Sequence, residues 1–343
     1  MKKLNILLAH DGSADMPEER FYSALCKTPE WSTEISVFRA LKKSGHNIRT
    51  LAVSGDPSRL MSEIAEDAPD IVFNLAEGCL GEYINEYNLP ALFEMLGVPF
   101  TGCSPVPLVL CNNKAVSKTI LKHHSIPAPG FIVARRGEKT AGLSKLSAPF
   151  FVKPLNEEAS CGISRRSLAA DEKQCLLRVS HIHNSLGKDA IVEEYVPGRE
   201  IYFGVFGYGG KVTVLPPWEL KFNKMKREDG KIATYSAKWD DNYRKKWDIK
   251  NEAADYINPV VLKNMKSVCE KAYSALGLDA YARFDLRLRA DGDFRVIEAN
   301  ANPELCESED FAASAAKGGI PFGKLINIII GLGLKRARGN KPA

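Results

Sequence analysis

RFDLRLRADGDFRVIEANANP, residues 283–303, consists of two runs of alternating apolar and polar residues that meet at Asp291-Gly292. That dipeptide favours the two-residue type I′ hairpin turn. Counting outward from such a turn places Asp285 opposite Glu298 and Arg283 opposite Asn300. Side chains repeat every second residue along a strand, so all four project from one face. Phe284, Leu286 and Leu288 fall on the other face, opposite Ala299 and Ile297, and form a candidate core. Two carboxylates directly opposite each other cost free energy unless something neutralises them. A cation between them reverses the sign. Asp and Glu oxygens with an amide carbonyl are hard ligands suited to Mg²⁺, and Arg283 on the same face is placed to neutralise a phosphoryl group or an oxyanion. A surface salt bridge among Arg283, Asp285 and Arg287 is the competing reading.

The elements around this hairpin alternate. Leu4–Ala9, Asn47–Val53 and Asp70–Leu75 read as strands. Thr33–Lys43, a segment opening at Asp56-Pro57, and Asn85–Leu96 read as helices. This rhythm predicts a parallel sheet with helical covers. Cys103–Pro107 reads as a connector, followed by a helix from about Asn112 to His124. Strands at Gly130–Ala134, Pro149–Lys153 and Asp189–Val196, with a helix near Asp171–Ser185, suggest a compact α+β unit. Beyond them lie a hairpin turning at Tyr208–Gly210, a polar connector from Lys221 to Asn251 of the length that serves as a lid, and a helix near Asn258–Leu276.

The chain has 343 residues, of which 45% are hydrophobic, with a formal charge of +5. That size allows two or three packed domains. The charge excess lies partly in a basic tail, Lys335-Arg336-Ala337-Arg338 and beyond, read as a solvated terminus. No dense interleaving of basic and aromatic residues suggests a nucleic-acid face. No segment is long and apolar enough to span a bilayer. Eight cysteines without CxxC spacing read as buried, reduced thiols in the cytosol.

Two further segments bear on function. Lys153 ends an apolar strand immediately before NEEASCGIS, which reads either as a loop whose backbone N–H groups suit phosphates or as a surface turn with a solvated lysine. IVEEYVPGRE breaks at Pro197-Gly198 with Glu193, Glu194 and Glu200 nearby, which reads either as an ordinary polar hinge or as glutamates accepting hydrogen bonds from adenine or ribose.

A lysine-bearing helix, strand-Lys-Pro with a small-residue loop, a Glu-Glu hinge, a loop lysine, then Arg-x-Asp…Glu-x-Asn: this order resembles the ATP-grasp superfamily, and within it D-alanine–D-alanine ligases. VFNLAEGCLGE, LPALFEMLGVPFTG and NNKAVSKTILKHHSIPAPGF resemble segments of that family, and the resemblance covers nearly the whole chain. It implies an α/β N-terminal domain (1–104), a central ATP-grasp lobe (105–192), a C-terminal lobe carrying the metal hairpin (193–335) and a tail (336–343). It implies an ATP-dependent carboxylate–amine ligase acting through an acyl phosphate, on small amino-acid or peptide substrates in the cytoplasm. Lys114, Lys153, Glu193, Glu194, Val196, Glu200 and Lys238 would bind nucleotide. Asp285, Glu298 and Asn300 would hold Mg²⁺, two ions, with Mn²⁺ as an alternative. Arg283, Lys238 and Ser160 would serve catalysis. Family members are often homodimers.

The substrate side departs from the family pattern. A His-Gly pair is replaced by Glu77-Gly78, a phosphate-loop glycine and two serines by Glu158, Ala159 and Ser160, and a Pro-Gly by Pro303-Glu304. The acceptor-holding serine segment is replaced by Glu307-Ser308-Glu309-Asp310. Glu34, Glu77, Asn302 and Glu304 are the candidate substrate residues. An acidic acceptor pocket repels a free carboxylate and attracts an ammonium or guanidinium, whereas a solvated helix N-terminus also favours acids. A ligase of the same mechanism acting on a peptide or specialised metabolite is therefore an alternative, as is a nucleotide-binding sensor without ligase activity.

Overall fold

The computed structural model describes residues 2–12, 16–17, 19–25, 28, 30–53, 57–78, 86–227 and 230–339. Cys26, Asp56, Cys79, Asn85 and the tail beyond Gly339 lie outside the described residues. The first sheet contains β1 (Asn5–His10), β2 (Asn47–Ala52) and β3 (Ile71–Asn74), all parallel, in the order β2-β1-β3. Ile6, Leu7, Leu8 and Ala9 are buried because helices cover both faces of the sheet. In an open α/β sheet a ligand usually binds beyond the carboxyl ends of the strands. Asp11 lies there, immediately after β1, and accepts hydrogen bonds from the amides of Glu77 (2.8 Å) and Gly78 (3.3 Å).

The expected Cys103–Pro107 connector is instead the entry to a helix, Pro105–Asn112. Proline at the first helical position sacrifices an N–H that has no partner anyway. The next helix, Lys114–His123, is capped by Asn113, whose side chain accepts from the amides of Ala115 and Val116.

The second sheet has β4 (Phe131–Ala134), β5 (Phe150–Pro154), β6 (Leu168–Ala169) and β7 (Ala190–Glu194), antiparallel, in the order β4-β7-β5-β6. β7 passes through position 192 and continues to Glu194, two residues beyond the lobe boundary the sequence suggests.

The third sheet holds β8 (Arg199–Tyr208), β9 (Lys211–Val214), β10 (Trp218–Phe222), β11 (Ile249–Ala253), β12 (Tyr281–Leu288) and β13 (Phe294–Ala301). β12 is central, antiparallel to both β8 and β13. Its core face buries Phe284, Leu286 and Leu288 in one cluster with Met265 and Cys269 of the helix Pro259–Ala275. The stretch Lys221–Asn251 is not a bare connector. It carries the end of β10, two short helices (Tyr235–Trp239 and Asp241–Trp247) and the start of β11. Ala233 and Ala237 anchor it by packing with Tyr202, Leu220 and Phe222.

The terminal helix runs Phe322–Gly339, and Arg336 does not belong to a solvated tail. Its buried guanidinium donates to the carbonyls of Gly102 (2.6 Å) and Phe100 (2.8 Å) and lies over the Phe100 ring. No single described helix is long and apolar enough to cross a membrane. Six described cysteines are free; Cys161 is exposed, contrary to expectation, and the other five are buried.

Candidate active site

The hairpin reaches the expected pairing by a different route. Its turn is not a two-residue type I′ turn. The amide of Gly292 donates to the Arg289 carbonyl (3.1 Å), Gly292 has φ 89°, and Arg289 pairs with Asp293 across a three-residue loop. Leu286 consequently faces Val296, not Ile297. Between Asp285 and Leu286 the register shifts by a β-bulge that leaves Ile297 without a partner, and beyond it Asp285 faces Glu298 and Arg283 faces Asn300. The longer loop and the bulge cancel in their effect on the polar face.

The two opposed carboxylates are neutralised separately. Asp285 binds Arg283 in a fork, with Nε at 2.7 Å from Oδ1 and Nη2 at 3.0 Å from Oδ2. Burial pulls the Arg283 guanidinium down, but the Asp285 charge and hydrogen bonds outweigh it and hold its pKa above the ordinary value. The Tyr202 ring lies 5.1 Å from the same guanidinium. Glu298 takes Lys114, Nζ to Oε1 at 3.0 Å. Burial pushes the Glu298 carboxyl up, yet Lys114, Lys153 and Lys238 together hold it well below the carboxylate range. Asn300 Nδ2 is buried with no hydrogen-bond partner among the described residues. An amide rotated by half a turn would present its oxygen at that position.

A second charged knot lies beneath. Glu193 Oε1 is 3.3 Å from Lys118 Nζ and 3.4 Å from Lys153 Nζ, and all three side chains are buried. Burial lowers the Lys118 ammonium to about 8 against the pull of Glu193. In Lys153 burial also lowers the pKa, but Glu193 and Glu298 overcome it and raise the ammonium. Lys118 is absent from the residues expected here, although the sequence carried a signal for it. The helix Lys114–His123 buries Lys114, Ser117, Lys118 and Leu121, so two lysines four residues apart share the inward stripe.

Three expected nucleotide contacts have other partners. The Glu194 side chain points to the face opposite that of Glu193, because successive strand residues alternate. Its carboxylate instead accepts from the amides of Ser147 (2.9 Å) and Gly130 (3.3 Å). The Val196 carbonyl accepts from Arg287 Nε (3.1 Å). Glu200 accepts from the Tyr202 hydroxyl (2.9 Å) and from Arg287 Nη1 (3.0 Å).

The loop after Lys153 meets the Lys221–Asn251 segment, the expected lid. Ala159 and Ser160 both have positive φ, 51° and 62°. The Ser160 hydroxyl donates to the Ala233 carbonyl (2.8 Å), so it is tied to the lid. Trp239 Nε1 donates to the Ala159 carbonyl (3.0 Å). Lys238, from the same short helix as Trp239, is one of the cations lowering Glu298.

The candidate substrate residues lie near one another. Thr33 donates to Glu304 Oε1 (2.9 Å), and Asn302 accepts from the Cys103 amide (2.7 Å) and reaches Glu86 (3.4 Å). Burial and the neighbouring carboxylates Asp11, Glu304, Glu158 and Glu34 push Glu77 up to about 7. Burial and the charges of Asp11 and Glu304 likewise raise Glu34. Asp11 and Glu86 join this group without having been expected there.

Residues 120–331, more than half of the chain, match the family model described as the D-ala D-ala ligase C-terminus. The uncharacterized protein y4sG of Sinorhizobium fredii is 32% identical over 319 residues, covering 91% of this chain and 90% of that protein. The D-alanine–D-alanine ligase of Glaesserella parasuis is 28% identical over 307 residues, covering 87% and 90%. The crystal structure of D-alanine–D-alanine ligase from Bacillus anthracis complexed with ATP superposes with a TM-score of 0.76 at 20% identity, covering 98% of this chain and 100% of that one.

Proposed function

Since the chain belongs to the D-Ala-D-Ala ligase family of ATP-grasp enzymes, we propose that it joins a carboxylate to an amine through an acyl phosphate. The observation that carries this reading is the hairpin face, where Asp285 and Glu298 oppose each other beneath Arg283, Lys114 and Lys153. Phosphoryl transfer asks a protein for positioning and charge neutralisation more than for covalent chemistry. Lys114 and Lys153 neutralise phosphate oxygens of ATP, and Lys238 adds a third cation from the lid. Asp285, Glu298 and the Asn300 amide would hold Mg²⁺, which when bound neutralises the β- and γ-phosphate oxygens. The donors fit that ion, being hard oxygens. Magnesium held by few carboxylates usually keeps water and substrate phosphates as its other ligands.

The substrate carboxylate attacks the γ-phosphorus and ADP leaves. The amine, after losing a proton, attacks the acyl carbon, and phosphate leaves with the C–O electron pair. In total, carboxylate, ammonium and ATP give amide, ADP, phosphate and one proton. Arg283 stabilises the acyl phosphate and the tetrahedral oxyanion, and the lid excludes the water that would hydrolyse the intermediate. An isotope experiment tests the reading. With a carboxylate substrate labelled in its oxygens, one label must pass to the released phosphate; unlabelled phosphate would refute an acyl phosphate.

A further inference from the structure

Arg287 lies on the polar face of β12, two residues beyond Asp285, and its side chain is buried. The alternation that sets Arg283 and Asp285 on that face puts it there too. Its guanidinium reaches three separate segments of the chain. Nε donates to the Val196 carbonyl (3.1 Å) and Nη2 to the Tyr195 hydroxyl (3.0 Å), both in the hinge between β7 and β8. Nη1 donates to Glu200 Oε2 (3.0 Å), the residue directly opposite on β8, and to the Lys231 carbonyl (3.1 Å) in the Lys221–Asn251 segment. The hinge is also pressed against the end of β12. A Cβ on Gly198, which has φ 118°, would stand 2.1 Å from the Leu288 carbonyl oxygen, so only glycine allows the approach.

These contacts call for an arginine. Its planar fork serves four acceptors here, which the single nitrogen of a lysine cannot span. They also leave Glu200 unsaturated. Its Oε1 accepts from the Tyr202 hydroxyl (2.9 Å) and its Oε2 from Arg287, whereas a carboxylate offers about four lone-pair positions. Glu200 lines a cavity of about 700 Å³ together with Gly198, Phe222, Lys231 and Arg287. Its charge is paired, its orientation is fixed at both oxygens, and acceptor capacity is left over for hydroxyl groups. The expected lid is tied to the same guanidinium.

We propose that Arg287 is a positioning residue for the nucleotide: it holds Glu200 toward the ribose hydroxyls of ATP and, through the Lys231 carbonyl, couples ribose occupancy to closure of the Lys221–Asn251 segment. The inference rests on the ligase reading for the presence of nucleotide in the cleft. Arg287 touches no reacting group. It acts through the Glu200 carboxylate and through the backbone of hinge and lid. Such coupling is reciprocal: a ribose that engages Glu200 steadies the lid, and a steadied lid tightens the hold on the ribose.

Calorimetric titration of the full chain with ADP and with 2′,3′-dideoxy-ADP, each with Mg²⁺, tests the proposal. The wild type should bind ADP about tenfold tighter than the dideoxy nucleotide, the worth of one hydrogen bond to a charged group. Arg287→Lys keeps a countercharge for Glu200 but not the fork, and should bring the ratio to within about twofold of unity. A purely structural loss would weaken both nucleotides alike and leave the ratio in place. Hydrogen exchange reads the coupling without any variant. At saturation, ADP should slow exchange of the amides of residues 230–239 about tenfold more than the dideoxy nucleotide does. Equal protection by the two nucleotides, equal affinity for them in the wild type, or an unchanged ratio in Arg287→Lys would overturn the inference. The wild-type exchange comparison decides the matter even where the variant fails to fold. Failure of the wild type to bind either nucleotide would refute the ligase reading, whereas equal binding of both refutes this inference alone.

Discussion

Asp285 and Glu298 face each other across adjacent antiparallel strands, yet each is neutralised by a different cation, Asp285 by Arg283 two residues along its own strand and Glu298 by Lys114 from a helix of another layer. The repulsion expected of opposed acids is therefore cancelled before any ligand arrives. Under the ligase reading proposed above, the same cations would transfer to phosphate oxygens when nucleotide enters.

Substituting Asp285 separates stability from function. Asp285→Asn leaves the Arg283 guanidinium without its ionic partner, which should cost about 3 kcal/mol of stability. ADP formation should fall by a factor of at least about 100. Denaturant unfolding and a coupled ADP assay on the same preparation measure both effects.

The buried knot makes a different prediction. Glu193→Gln removes the carboxylate that Lys118 and Lys153 share, leaving Glu298 to counter two buried ammonium groups, and should destabilise the protein by about 3–5 kcal/mol. Lys118→Met in the same background should recover part of the loss by removing one of the two stranded charges. Additive losses in the double variant would contradict this account.

The pH dependence follows from opposite shifts. Glu77 and Glu309 rise from an ordinary 4.5 to about 7, so in the folded state their ionisation is disfavoured. Their cost is absent below 4.5, grows as pH rises and is complete above 7. Glu298 is depressed, so its stabilisation is present above 4.5 and is lost as pH falls below that value. The melting temperature should therefore decline between pH 4.5 and 7 through Glu77 and Glu309, and Glu77→Gln should flatten that decline. Both residues are solvent-exposed, so salt should reduce the effect.

The lid prediction concerns coupling. Trp239→Ala removes the hydrogen bond from the lid to the Ala159 carbonyl. Release of phosphate without amide should rise relative to wild type, on the order of tenfold, as water reaches the acyl phosphate. Phosphate and amide quantified in one reaction give the ratio.

Much of this arrangement was legible in the chain because the polar face of a hairpin repeats every second residue. The Asp285–Glu298 pairing survives an error in the turn because a longer loop and a bulge compensate. Lys153 announces itself at the end of an apolar strand before a proline. Lys118 was visible only as half of a helical stripe whose other members gave no sign of being inward. The face of the Glu194 side chain was not legible, since adjacent strand residues look alike until the sheet assigns their faces. Arg336 looked like tail charge because nothing local shows that the carbonyls of Phe100 and Gly102 wait for it. Asp11 and Glu86 join the site through contacts among distant segments, which no local pattern encodes.

The most direct test of the central claim is ADP release by the wild-type chain with ATP and Mg²⁺, supplied with carboxylate alone, amine alone, or both. The account predicts sustained turnover with both, yielding ADP, phosphate and amide in equal amounts, and loss of that turnover in Asp285→Asn. ADP released at the same rate without either substrate, or undiminished turnover in Asp285→Asn, would contradict it.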